Sequence, residues 1–194
     1  MTDQQQQMAG NPLDQLREAN DVFLEVLANV KAEQMNVPTP NDEWDVQALI
    51  YHVVLGNVWA AENVKTGNAP RPSGDGIGER EALEAYTASA DAMMASFEEP
   101  GALGRMVNMP FGEMPAAGLA GFRSIDLIIH AWDLAKATGQ DTDLAPELCE
   151  AALATSRQRM TGMDRTNMPF KEEVIVPADA PAADRLAGFL GRKV

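Results

Sequence analysis

Two histidines and one aspartate are the residues of this sequence whose types and spacing best fit metal chemistry. His52 and His130 are the chain's only histidines, and each lies in a strongly apolar stretch with a helical pattern. Because burying an unpaired imidazole is costly, each ring should have a polar partner. Asp126 precedes His130 by four residues, which on a helix places both side chains on one face with Cβ atoms roughly 5–6 Å apart. Such a pair can bind one metal ion.

A third ligand must come from another helix, and His52 is the only histidine left to supply it. Two imidazoles and a carboxylate suit zinc, nickel, iron or manganese, and three protein ligands leave at least one position open for water or substrate. The spacing alone leaves a second interpretation open. In that interpretation, Asp126 only hydrogen-bonds to His130, and His52 is a separate core histidine.

Two further residues could take part in chemistry at this site or elsewhere. Asp133 follows His130 by three residues on much the same helix face. It could orient a ligand imidazole, or it could equally form a surface or helix–helix contact. Cys149 has no histidine or other base nearby in the sequence, so we expect a buried, small apolar residue rather than a nucleophile.

Helices must position these residues, because apolar residues recur at steps of three and four through most of the chain. No set of strands long enough for a sheet is apparent. We therefore predict an all-α fold, with four long helices packed as a bundle and a short C-terminal extension. Asp45 fits the N-cap of the second helix, and Gly139 fits a left-handed end for the fourth. The predicted helices span residues 11–36, 45–64, 79–97, 115–139, 146–160 and 181–190, with a short extended segment at 173–176.

Length, charge and cysteine content limit the classes of function. The 194 residues suggest a single domain over residues 11–194, preceded by a polar, disordered tail at residues 1–10. The net charge of −14 argues against a nucleic-acid partner. One cysteine cannot form an internal disulfide, and no segment approaches the ~20 apolar residues that span a bilayer. We expect a cytoplasmic protein whose partners are small molecules or copies of itself, with a homodimer as a possible assembly.

Three segments together resemble a known family. The start of the second helix is similar to that of the DinB-like metal-binding bundles, in the pattern Pro40-x-x-x-Trp44-x-Val46-x-x-Leu49-x-x-His52. The ligand segment of that family resembles Asp126-x-x-x-His130-Ala-Trp132-Asp133-Leu134-Ala-x-Ala137-x-Gly139. The tail from Val176 to Arg192 is most similar to the branch that contains mycothiol-dependent maleylpyruvate isomerase.

The resemblance implies an up-down-down-up four-helix bundle that holds one divalent metal ion. We expect zinc first, with nickel, iron or manganese as the alternatives. His52, Asp126 and His130 match the ligand positions of the family. Asp126 stands where the isomerase-like pattern has glutamate. Since aspartate is one methylene shorter, we expect the ion to lie closer to this helix or to be bound less tightly.

The resemblance also implies thiol chemistry. A metal that coordinates the thiol of a low-molecular-weight cofactor such as mycothiol supplies thiolate at neutral pH, and thiolate attacks small electrophilic substrates. We therefore expect a metal-dependent thiol transferase or isomerase. One alternative is a hydrolase that uses metal-bound water, although no glutamate base is evident on the ligand helices. The other alternative is a non-catalytic metal-binding protein.

Overall fold

The computed structural model describes residues 11–41, 44–70, 72, 81–165 and 170–194. Over these residues the chain is mostly helical, with six α-helices, two short 3-10 turns and one two-stranded sheet. The disordered tail predicted for residues 1–10 lies outside the described residues. The helices are α1 (Pro12–Ala28), α2 (Val46–Thr66), α3 (Ala82–Glu98), α4 (Ala116–Thr138), α5 (Pro146–Met160) and α6 (Ala182–Phe189).

The ends of α2 and α4 are fixed by the residues that the sequence indicates. The side chain of Asp45 accepts a hydrogen bond of 2.9 Å from the Ala48 N–H, which satisfies one of the free amides in the first turn of α2. Gly139 adopts a φ of 72°, a left-handed conformation in which glycine carries no Cβ penalty, and so ends α4. Both predicted boundaries are confirmed.

Helix α4 lies at the centre of the packing. It contacts α1, α2 and α6, while α2 and α3 pack on each other. Every residue from Arg123 to Ala135 is buried, as expected for a helix that is surrounded by other elements. Polar side chains within this stretch are therefore enclosed by protein and need polar partners. Across the described part of the chain, no helix has both the length and the apolar character of a membrane span.

The all-α prediction is wrong at one place, where the chain forms a hairpin between α3 and α4. Strands β1 (Met106–Met109) and β2 (Gly112–Pro115) pair antiparallel across a two-residue turn. Residues of β1 alternate between exposed and buried positions, with Val107 and Met109 inward. Met106 is apolar although it is exposed, so the sequence of β1 does not alternate between polar and apolar residues and gives no strand signal. Pro115 therefore ends a strand, and α4 begins at Ala116.

Two helix boundaries differ from the predicted ones by three residues or more. Helix α1 ends at Ala28 instead of continuing to residue 36, because a separate 3-10 turn follows at Ala32–Gln34. The side chain of Gln34 closes that turn by accepting a hydrogen bond from the Lys31 N–H. Helix α3 begins at Ala82, and its predicted start at residue 79 lies outside the described residues. The extended segment at 173–176 forms no strand, although the Val174 N–H donates to the carbonyl of Gly188.

Candidate metal centre

Two helices bring the three predicted ligands together. His52 lies on α2 within two turns of the Asp45 cap, and Asp126 and His130 lie one turn apart on α4. Asp126 and His130 are buried, whereas the side chain of His52 keeps 34% of its exposure. The cluster therefore has a closed side formed by α4 and an accessible side at α2.

The donor atoms are close enough to share one ion. His130 Nε2 lies 3.6 Å from Asp126 Oδ1, and His52 Nε2 lies 4.0 Å from Asp126 Oδ2. One donor atom from each of the three residues can be chosen such that all lie within 4.8 Å of one another. Two atoms that each lie ~2.1 Å from a tetrahedral ion are separated by about 3.4 Å. Small side-chain adjustments would therefore complete a three-ligand site, and the donor set fits a divalent metal.

Asp126 is held in its ionised form, which is the form that binds metals. Burial by itself would raise the pKa of this carboxyl. The positive charges of Arg123, His130 and His52 outweigh that effect and hold the pKa of Asp126 well below its usual range. Arg123 Nη1 donates to Asp126 Oδ2 at 2.5 Å. The second carboxylate oxygen, Oδ1, faces His130.

Arg123 is a residue of this cluster that the sequence analysis did not single out. Its guanidinium is buried and also donates to the Asn57 side chain at 2.7 Å and the Val53 carbonyl at 3.4 Å. A Cβ at Gly56 would lie only 2.5 Å from Arg123 Nη1, so the absence of a side chain there makes room for the guanidinium. The three-residue spacing from Arg123 to Asp126 could have indicated an ion pair, but no local pattern points to Asn57 or Gly56.

The other nitrogen of the His130 ring faces Asp133. Nδ1 of His130 lies 3.1 Å from Asp133 Oδ2, and Asp133 is fully buried, so it lies against the ring and not at the surface. Burial would lower the pKa of His130, but the charges and hydrogen bonds of Asp126 and Asp133 raise it to about 9. Burial would raise the pKa of Asp133, but hydrogen bonds from His130 and Arg192 lower it.

Trp44 covers both imidazoles. Its ring stacks on the His52 ring, with the ring centroids 4.3 Å apart and an angle of 30° between the planes. The centroid of the Trp44 ring lies 5.6 Å from that of the His130 ring. The two imidazole rings contact each other edge to face, with their centroids 5.0 Å apart. The indole of Trp44 therefore packs directly on both candidate imidazole ligands.

A cavity of about 430 Å³ opens onto the cluster. Among the described residues that line it, Asp126 is the one acid, whereas the cations Arg123, Lys171 and Arg192 all contribute to the wall. The whole chain carries a net charge of −14. The cavity wall thus contains more cationic than acidic side chains, although the protein as a whole is strongly acidic.

Cys149 takes no part in this site. Its thiol is buried on α5 and contacts the carbonyl of Leu144 at 3.1 Å. Burial, together with nearby acidic residues, raises the pKa of this thiol to about 12. The burial that the sequence predicted for Cys149 is confirmed, and a thiol with a raised pKa stays protonated at neutral pH.

Comparison with known proteins identifies the family. A family model described as the mycothiol maleylpyruvate isomerase N-terminal domain matches residues 16–135. The chain belongs to this family. Two relatives from Mycobacterium tuberculosis strains, Uncharacterized protein Rv0738 and Uncharacterized protein MT0763, are each 40% identical over 189 residues. The alignment with each covers 95% of this chain and 99% of the relative.

The fold is similar to crystal structures of mycothiol-dependent maleylpyruvate isomerase. A point mutant of that enzyme gives a TM-score of 0.63 at 18% identity, and a second structure of the enzyme gives 0.58 at 19% identity. Both comparisons cover 74% of this chain, and the chain spans 66% of the solved protein. The resemblance predicted from the sequence motifs is confirmed at the level of family and fold.

Proposed function

We propose that this protein binds one divalent metal ion, zinc foremost, through His52, Asp126 and His130. We further propose that it catalyses the thiol-dependent transfer or isomerisation of a small electrophilic molecule, with a mycothiol-type thiol as cofactor. The observation that carries the proposal is the convergence of the three donor side chains on the wall of a 430 Å³ cavity. Cavities of ~300–1,000 Å³ are typical of small-molecule sites. When bound, such an ion lowers the pKa of a coordinating thiol and makes thiolate available at neutral pH.

The protein's own side chains prepare the site for this chemistry. Arg123 keeps Asp126 ionised and occupies one of its oxygens, which leaves the other for the ion. Asp133 holds Nδ1 of His130, so that Nε2 is directed toward Asp126. Trp44 covers the imidazoles on one side and limits the access of water from that direction.

Family membership supports the thiol part of the proposal. The matching family model and the similar crystal structures both carry mycothiol and maleylpyruvate isomerase in their names. A cytoplasmic location, with a low-molecular-weight thiol and a small electrophile as partners, belongs to the same proposal.

We also propose that α1–α4 form the up-down-down-up bundle of the DinB-like proteins. The contacts that support this arrangement are those of α1 with α4, of α2 with α3, and of α2 with α4. In such a bundle α2 and α4 lie side by side, which is what a site shared between them requires. Helices α5 and α6 then follow as the C-terminal extension.

Metal analysis followed by activity assays tests the proposal. Purified protein should contain about one divalent ion per chain. It should convert an electrophile from a panel of small α,β-unsaturated carbonyl compounds only when mycothiol is present. Cleavage of esters or amides without any thiol would favour a metal-dependent hydrolase. Bound metal without turnover of either kind would leave a non-catalytic metal-binding protein.

A ligand variant with a matched control makes the metal test specific. His130→Ala should lose the ion, because it removes the buried imidazole that faces Asp126. Cys149→Ala should keep wild-type metal content and thiol dependence, because its buried thiol lies away from the cluster. Wild-type metal content in His130→Ala would contradict the proposed ligand set.

A further inference from the structure

We propose that Arg192 is a positioning residue of the candidate metal centre, which fixes the His130 imidazole through Asp133. The inference rests on the proposed function, because it concerns the same three-donor site. Arg192 lies three residues beyond the end of α6, and 59 residues separate it from Asp133 along the chain. The C-terminal segment therefore completes a site whose ligands come from α2 and α4.

A continuous chain of hydrogen bonds links Arg192 to the ring. Arg192 Nε donates to Asp133 Oδ1 at 2.8 Å, and Arg192 Nη2 donates to Asp133 Oδ2 at 2.9 Å. The same Oδ2 atom lies 3.1 Å from His130 Nδ1. All three residues are at least 95% buried. Since an ionised carboxylate only accepts hydrogen bonds, the proton of this contact is on His130 Nδ1, and Nε2 remains for a metal.

The backbone after α6 is built to return Arg192 toward α4. Gly191 adopts a φ of +90°, and a Cβ there would lie 2.7 Å from the Cβ of Lys171 and 3.0 Å from its backbone. Glycine is therefore required both by the conformation and by the close approach of the two segments. The Arg192 N–H then donates to the Ala187 carbonyl at 2.9 Å, which holds the turn in place.

The two-point contact with Arg192 determines the orientation of Asp133. A planar guanidinium that binds both oxygens of a carboxylate fixes the plane of that carboxylate, which a single point charge does not do. Without Arg192, the carboxylate could rotate about its side-chain bonds, and the His130 ring would lose its fixed acceptor. Outer partners of metal-binding histidines typically contribute 10–100-fold to metal affinity. We expect a contribution in that range from Arg192.

The coupling is reciprocal. If Arg192 strengthens metal binding through Asp133, metal binding must strengthen the docking of the C-terminal segment by the same factor. Amide hydrogens of residues 186–192 should therefore exchange more slowly in the zinc-loaded protein than in the metal-free protein.

Zinc affinity measured by chelator competition tests the proposal, with a matched arginine as control. Arg165 is also buried, and it holds the same C-terminal segment by donating to the carbonyls of Phe189 and Lys171. Arg192→Met should bind zinc 10–100-fold more weakly than wild type, whereas Arg165→Met should remain within threefold. Equal weakening in both variants would mean that general loosening of the segment is responsible, and it would overturn the proposal. So would unchanged affinity in Arg192→Met.

Two further measurements keep the test decisive. If Arg192→Met fails to fold, Arg192→Lys retains the charge without the two-point contact, and its zinc affinity should fall by at least threefold. In metal-free wild type and Arg165→Met, the buried Nδ1–H of His130 should give a sharp downfield proton NMR signal that is broadened in Arg192→Met. If wild type binds no zinc, the proposed function fails. The NMR signal would still decide whether Arg192 positions the ring, and an equally sharp signal in Arg192→Met would refute that role.

Discussion

Replacing Arg123 by methionine should destabilise the metal-free protein strongly. Methionine has a similar length but no charge, so Asp126 would remain buried without the guanidinium that now binds its Oδ2. Removing one partner of a buried ion pair costs about 3–5 kcal/mol. Asn57 Oδ1 would lose its donor as well, which adds about 1 kcal/mol. For a domain of this size, such a loss lowers the melting temperature by roughly 10–20 °C.

Zinc should reverse part of this loss. A divalent ion beside Asp126 would supply the positive charge that Arg123→Met removes, so the difference in unfolding free energy between variant and wild type should shrink in saturating zinc. Urea unfolding with EDTA and with excess zinc measures both quantities. Arg105→Met is the control, because its ion pair with Glu99 is partly exposed and should contribute less than about 1 kcal/mol.

Two results would contradict the expected role of Arg123. If Arg123→Met and Arg105→Met are equally stable in EDTA, Arg123 does not offset the cost of burying the charge of Asp126. If the loss in Arg123→Met is the same with and without zinc, the ion does not bind beside Asp126.

Further predictions concern the pH dependence, two glycines and nucleic-acid binding. Folding raises the pKa of His130 from 6.5 to about 9. The metal-free protein should therefore lose stability as the pH rises from about 6.5 to 9, because the folded state holds a proton there that the unfolded chain releases. Zinc affinity should fall about tenfold per pH unit below 9, because protons compete for the ring, and a flat zinc affinity between pH 6 and 9 would contradict this. Gly56→Ala should destabilise by about 1 kcal/mol, since its Cβ would displace Arg123. Gly121→Ala, with nothing within 4 Å of the new Cβ, should stabilise by a similar amount. A gel shift with duplex DNA at low salt should show no complex, because the chain carries a net charge of −14.

Local sequence patterns predicted much of the helical framework and the central pair of the site. Steps of three and four between apolar residues indicated the helices, and the four-residue spacing of Asp126 and His130 placed them together because helix geometry is fixed by the chain itself. The ends of α2 and α4 were predictable for the same reason, since Asp45 and Gly139 act on the backbone within one turn. His52 was inferred by elimination and by resemblance to the family.

Such local patterns could not predict contacts between residues that lie far apart in the sequence. Arg192 reaches Asp133 across 59 residues, and Asn57 accepts from Arg123 across 66. Neither contact has a local signature, because each depends on how separate elements pack. The β1–β2 hairpin was missed for a different reason, since exposed Met106 breaks the polar–apolar alternation of β1 and the burial of β2 does not alternate.

A crystal structure of the zinc-loaded protein, with anomalous data collected at the zinc edge, tests directly whether the three side chains bind one ion. We expect one strong anomalous peak in the cavity, ~2.0–2.2 Å from a donor atom of each of His52, Asp126 and His130. Full zinc loading with no peak at these three side chains, or with the peak at another site, would contradict it.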